Sequence, residues 1–171
     1  MHHDHDNSRR DDDKNPRMNY WLMKSEPDAF GIATLKKQRV APWDGVRNYQ
    51  ARNFMRSMAV GDRVLFYHSN AKPSGVAGLA EIARSAYPDH TSWDSNSKYF
   101  DSASTPEKPR WHMVDVRYIS TFPRVLALEA LRAVPEISDM LLFQRSRLSV
   151  QPVEQHHYDF IVAMAQNPID Q

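Results

Sequence analysis

The chain has no cysteine. Disulfides and cysteine-ligated zinc are therefore excluded, and nothing argues for an extracellular compartment. No apolar run approaches the roughly 18 residues of a membrane-spanning helix. The N-terminus is polar and charged, unlike a secretory signal. Charge of one sign is missing too. Residues 1–17 carry 4 of the 22 basic and 5 of the 21 acidic side chains, which leaves 18 and 16 for the rest. Such a balance rules out a broad polyelectrolyte grip on duplex DNA but permits a local basic groove. There are no internal repeats, no heptads and no glycine-rich phosphate loop, so P-loop and dinucleotide-binding readings fall away. No Gly-x-Ser-x-Gly elbow occurs. His112, His156 and His157 lack His-x-x-x-His spacing, so no metal is expected. No cofactor, membrane association or obligate protein partner is expected either, and the chain reads as a cytoplasmic monomer.

What remains is an ordinary globular composition, 41% hydrophobic and 25% charged over 171 residues, enough for one domain with a proper core. The segment Met1–Arg17 stands apart, with His2, His3 and His5 and hardly an apolar side chain. It reads as a tag-like or disordered leader, leaving 18–171 as the single domain. Tyr20–Lys24 is an apolar run that predicts a buried strand. Asp28 predicts a cap for a helix over 29–37, and Pro42 holds Ala41 extended. Asn48 predicts a helix cap, with Tyr49, Phe54 and Met58 near one face of a helix to about residue 58. Arg63–His68 and 75–83 read as paired strands joined by a polar loop. The stretch 87–109 is irregular, and loops of that length usually have a job or are mobile. A strand over 111–120, a helix over 125–134, a helix from Ser138 through Phe143, a strand over 147–153 and a closing helix over 154–166 complete the pattern. Short strands with interspersed helices, and no regular βαβ rhythm, favour an α+β fold: a small, partly open antiparallel barrel with helices packed around it.

The richest stretch is Trp43-Asp44-Gly45-Val46-Arg47-Asn48-Tyr49-Gln50-Ala51-Arg52-Asn53. Aromatics stack on planar rings, arginine pairs with phosphate and asparagine reads a base edge. A chain that grips a flat, polar, anionic ligand needs this mixture. Trp43 is evenly divided between a stacking wall and a core residue beside Pro42. Asn48 is divided between a base edge and a helix cap, because one amide oxygen cannot serve both fully. Trp21 reads as core, and Trp111 leans the same way. His68-Ser69 invites a nucleophile, but adjacent strand residues point to opposite faces. Tyr67 and Ser69, two apart, share a face that can line one pocket.

Several motifs, taken together, resemble the EVE domain: Tyr20-Trp21-Leu22-Met23-Lys24-Ser25-Glu26-Pro27, the Trp43–Asn53 segment, Gly61-Asp62 through Phe66-Tyr67-His68-Ser69-Asn70, Gly75–Ile82 and Arg147-Leu148-Ser149-Val150-Gln151-Pro152-Val153. They cover residues 18–165 in order. The resemblance implies a PUA-like fold similar to YTH domains, and a module that binds a modified base in DNA or RNA without catalysis. It tips Trp43 toward a wall that stacks on an extruded base, worth roughly 1–3 kcal/mol. The implied pocket at the barrel mouth takes Lys24, Ser25, Trp43, Gly45, Val46, Arg47, Asn48, Tyr49, Tyr67, His68, Ser69, Arg147, Ser149 and Val150. Lys24, Arg47 and Arg147 hold the backbone there. On that picture Trp43→Ala weakens binding sharply and leaves the melting temperature nearly intact. The rival expectation is an RNA- or modified-nucleoside-processing enzyme of the ASCH type, with Lys24, Tyr67 and His68 as acid, base or phosphate anchor.

Overall fold

The computed structural model describes residues 18–167; the leader with His2, His3 and His5 lies outside the described residues. In chain order the strands are β1 (Tyr20–Ser25), β2 (Val40–Pro42), β3 (Arg63–His68), β4 (Gly75–Pro88), β5 (His112–Ala127) and β6 (Val150–Val153). The helices are α1 (Pro27–Phe30), α2 (Ile32–Gln38), α3 (Tyr49–Arg56), α4 (Leu128–Arg132), α5 (Leu141–Gln144) and α6 (Gln155–Gln166). Short 3-10 turns span His90–Trp93 and Pro135–Ile137.

All six strands belong to one sheet in the order β2-β5-β4-β3-β1-β6. β2 and β6 end that order without pairing to each other, so the sheet stays open, as expected. One pairing departs from the expected antiparallel scheme. β1 runs parallel to β3, because the chain between them crosses over through α1, α2, β2 and α3 instead of turning in a hairpin. The long β4–β5 pair carries several register shifts, and such bulges bend a sheet and sharpen its twist.

Alternation along β1 and β3 builds two cores. Trp21, Met23, Val64 and Phe66 face one side, with Trp43, Ala51 and Met55. Leu22, Leu65 and Tyr67 face the other, under Ile161 and Ala165 of α6. This is the period of two that places neighbours on opposite faces of a strand. Trp21 is core, as expected, and its indole Nε1 donates to the buried Asp62 carboxylate at 2.9 Å.

The helix boundaries were the least legible part. Asp28 caps nothing; a break at Gly31 makes two short helices of the expected one. The helix expected over 125–134 begins only at Leu128, because Leu126 and Ala127 pair with Val76 and Gly75. Ser138 follows the Pro135–Ile137 turn, and Met140 precedes α5. In α3 the buried positions are Ala51 and Met55, whereas Tyr49 stays half exposed.

Candidate functional site

A cavity of about 500 Å3 opens at the end of β1. Its walls come from five segments: Lys24 and Ser25 of β1, Glu26 with Ala29 and Phe30 of α1, residues 42–47 at and after the end of β2, Lys98 and Tyr99 of the long loop, and Ser149 before β6. That volume falls in the ordinary range of ligand sites.

Trp43 is both wall and core. Its backbone N–H donates to Val114 O at 2.7 Å. Its ring meets Phe66 edge-on at 5.4 Å and Phe30 edge-on at 6.1 Å. Only 6% of the residue is exposed, so packing fixes the ring, and its removal must cost stability as well as any stacking. The expectation of an intact melting temperature is corrected accordingly.

After Trp43 the chain turns at Gly45, with φ of +83°. A Cβ there would lie 2.6 Å from the Tyr99 ring. Glycine therefore meets two demands, a left-handed backbone and a flat aromatic against it. Asp89, whose side chain is fully buried, ties this turn down. It accepts from Gly45 N at 2.8 Å, Arg47 Nη1 at 3.0 Å, Thr91 N at 2.9 Å and Thr91 Oγ1 at 2.6 Å. Burial opposes its ionisation, but the hydrogen bonds from Thr91, Gly45 and Arg47 outweigh this and hold the carboxyl below its usual range. Arg47 also donates to Val46 O, Tyr99 O and Thr91 Oγ1. Its guanidinium is spent inward, on the loop. It lines the cavity as a clamp rather than standing on the rim as expected.

Polar and charged side chains make up much of the lining, among them Lys24, Ser25, Glu26, Asp44 and Lys98. Ser25 Oγ donates to Phe30 O at 2.7 Å, and its lone pairs remain available to accept. Lys24 Nζ donates to Ser146 O at 2.7 Å and lies 5.5 Å from the Tyr67 ring. Burial pushes its pKa down, and no carboxylate pairs with it among the described residues. Burial first, and then the Asp89 charge, pushes the Asp44 carboxyl up.

Other expected site residues lie elsewhere. Asn48 Oδ1 accepts from Ala51 N at 2.9 Å, so the capping role is real. Its side chain lines a neighbouring hollow of about 260 Å3 with Arg145, Ser146 and Arg147. Tyr49 stacks on Trp111 at 4.8 Å, with the Arg52 guanidinium 4.8 Å from its ring. Tyr67 is buried with Leu22 and Leu65 and, contrary to expectation, does not border the cavity. Val150 is likewise fully buried, in the core. His68 Nε2 accepts from Ile32 N at 3.1 Å. It is an anchor for the start of α2, its pKa lowered by burial. Ser69 N donates to Ser25 O at 2.9 Å, and neither His68 nor Ser69 borders the cavity. Arg147 is exposed and makes no ion pair among the described residues. The sequence did not disclose Asp89, Lys98 or Tyr99; the only signal was the length of the loop that carries them.

An open mixed sheet with a mouth cavity of this kind is a PUA-like architecture. The EVE domain family model matches residues 19–164, and the chain belongs to that family. Mouse thymocyte nuclear protein 1 is 44% identical over 165 residues, covering 85% of this chain and 73% of the relative. A hypothetical protein from Leishmania major is similar in structure, with a TM-score of 0.85 and 54% identity over 87% of this chain and 95% of that one. Human THYN1 protein, solved in complex with 5-methylcytosine-containing DNA, has a TM-score of 0.83 and 40% identity over 87% of this chain and 98% of that one. Among the described residues no helix is long and apolar enough to cross a membrane.

Proposed function

We propose that this protein is a non-catalytic module that binds nucleic acid and recognises a modified base, with 5-methylcytosine in DNA as the leading ligand. The observation that carries the reading is the likeness to a DNA-bound relative, combined with a cavity of about 500 Å3 bordered by Trp43. An extruded base enters at the end of β1 and meets Trp43. The Asp44 carboxylate accepts from the exocyclic amine, the usual acidic partner of cytosine N4. Ser25 and Lys24 serve the ring nitrogen and carbonyl edge, and Phe30 and Ala29 give the 5-methyl group apolar contact. Lys98, Arg145 and Arg147 hold the phosphates on either side.

The enzyme reading draws less support. Its three groups do not converge on the cavity: the Tyr67 ring lies 5.5 Å from Lys24 Nζ but is packed with Leu22 and Leu65, His68 Nε2 is occupied by Ile32 N, and Lys24 alone borders the cavity. The test is fluorescence anisotropy with matched oligonucleotides carrying cytosine or 5-methylcytosine, single- and double-stranded, against the parent and Asp44→Asn. The expected result is tighter binding of the methylated strand by the parent, and weaker binding of both strands by Asp44→Asn, because both bases carry the exocyclic amine that Asp44 meets. Equal affinity for modified and unmodified strands would sink the proposal, and turnover of any oligonucleotide would return the enzyme.

A further inference from the structure

The first turn of α6, which packs over the second core, carries two adjacent histidines, His156 and His157, that the cavity does not use. Adjacent residues on a helix diverge by about 100°, so the pair alone lacks metal-site spacing. The third group comes from another part of the chain. Asp139 sits between the Pro135–Ile137 turn and α5, and its Oδ1 lies 2.8 Å from His157 Nε2. The His156 and His157 rings are 4.1 Å apart. One donor atom from each of Asp139, His156 and His157 lies within 4.8 Å of the other two.

We propose that Asp139, His156 and His157 form a binding site for a divalent first-row transition metal, zinc being the natural probe. Two imidazoles and one carboxylate are the donor set such ions favour over magnesium or calcium. Bonds of about 2.0 Å place tetrahedral ligands about 3.3 Å apart. Closing from 4.8 Å needs only side-chain rotation, and the arrangement allows it. The His157 side chain is 2% exposed and fixed by its surroundings, while Asp139 and His156 are 67% and 63% exposed and free to adjust. Glu154 Oε1 lies 3.9 Å from His156 Nδ1, which adds a nearby negative charge that favours a cation there. A hollow of about 200 Å3 bordered by Asp139, Glu154 and His157 leaves the fourth position to water or a further donor. The ion would tie the first turn of α6 to the 135–144 segment and so brace the helix that covers the second core.

The test measures zinc binding by calorimetry and melting temperature with zinc chloride or magnesium chloride, on the full chain and on Asp139→Asn and His156→Ala. Both substituted side chains are exposed, so the variants should fold. Every variant keeps His2, His3 and His5, and metal held there cancels in the comparison. The parent should bind zinc and melt at a higher temperature in its presence, but not with magnesium. Each variant should bind at least tenfold more weakly and lose most of that rise. A parent that zinc does not stabilise beyond magnesium would overturn the proposal. So would either variant that behaves like the parent, since the three groups must act on one ion.

Discussion

The cavity has two walls of opposite construction. The Trp43–Arg47 wall is locked: Trp43 is wedged between Phe66 and Phe30, Gly45 lies against Tyr99, and Arg47 is consumed by Asp89, Thr91 and two carbonyls. The second wall is the segment 145–149, of which Ser149 borders the cavity while Arg145, Ser146 and Arg147 border the neighbouring hollow, and its cationic side chains are loose. The Arg145 guanidinium donates to the exposed Gln50, Arg147 makes no ion pair among the described residues, and Ser146 offers a carbonyl to Lys24. The contrast separates two jobs that one sequence motif seemed to combine. A wall that must fit a base is pre-organised by burial, because a loose ring loses affinity to ordering costs. A wall that meets phosphate works at longer range and tolerates mobile cations.

Removing what locks the first wall should have the largest effect. Asp89→Ala leaves the Arg47 guanidinium without its anion and takes the acceptor from Gly45 N. Breaking a buried pair costs about 3–5 kcal/mol, and the partial exposure of Arg47 places this case at the lower end. Chemical denaturation should show that loss, together with the loss of oligonucleotide binding. Trp43→Ala removes a buried aromatic and should cost about 3–5 kcal/mol as well. Trp43→Phe should keep most of the stability yet weaken binding, which separates packing from stacking. Gly45→Ala comes next. A side chain at positive φ costs about 1–3 kcal/mol, and the Tyr99 ring must also shift. If Gly45→Ala melts like the parent, the locked-wall description is wrong.

The sequence disclosed these walls unequally, for physical reasons. The Asn48 cap and the edges of β1 and β3 were legible because each is a local preference. The end of β5 was not. Leu126, Leu128 and Leu131 suit a helix, yet pairing of Leu126 with Val76 outweighs that spacing. Gly75 helps, because the Leu126 carbonyl occupies the space a side chain would need. Alternation put Tyr67 on a face of its strand but could not say which face the cavity takes. The Asp89–Arg47 clamp was wholly hidden. It joins positions 42 residues apart through a loop without periodicity, and nothing local distinguishes Asp89 from a solvated loop aspartate.

The two aspartates beside the first wall should titrate in opposite senses. Asp89 is held below its ordinary value, so the stability it contributes is present above that value and lost as pH falls through the lower, folded one. Asp44 is held above 3.8. The native state keeps its proton longer than the unfolded chain, so stability declines as pH rises from 3.8 through the raised value. Denaturation midpoints of the parent relative to Asp44→Asn should fall across that window and level off above it. Binding should run the other way, since the ionised carboxylate is the stronger acceptor for the base amine. The parent's affinity should drop on acidification relative to Asp44→Asn, a difference in which titration of the base itself cancels. An unchanged difference across the window would remove Asp44 from the base edge.

The smallest effect on the fold should come from the loose wall. Arg147→Ala removes an exposed side chain with no ion pair among the described residues, and stability should move by no more than about 0.5 kcal/mol. Binding should weaken about equally for methylated and unmethylated strands, and the slope of log affinity against log salt should shrink by about 1. Arg47→Ala is the matched comparison. It should cost stability, for it strands the buried Asp89 carboxylate. Its salt slope should barely change, because that guanidinium already faces an anion of its own chain. If instead Arg47→Ala flattens the salt dependence and Arg147→Ala does not, the assignment of shape to one wall and charge to the other is reversed.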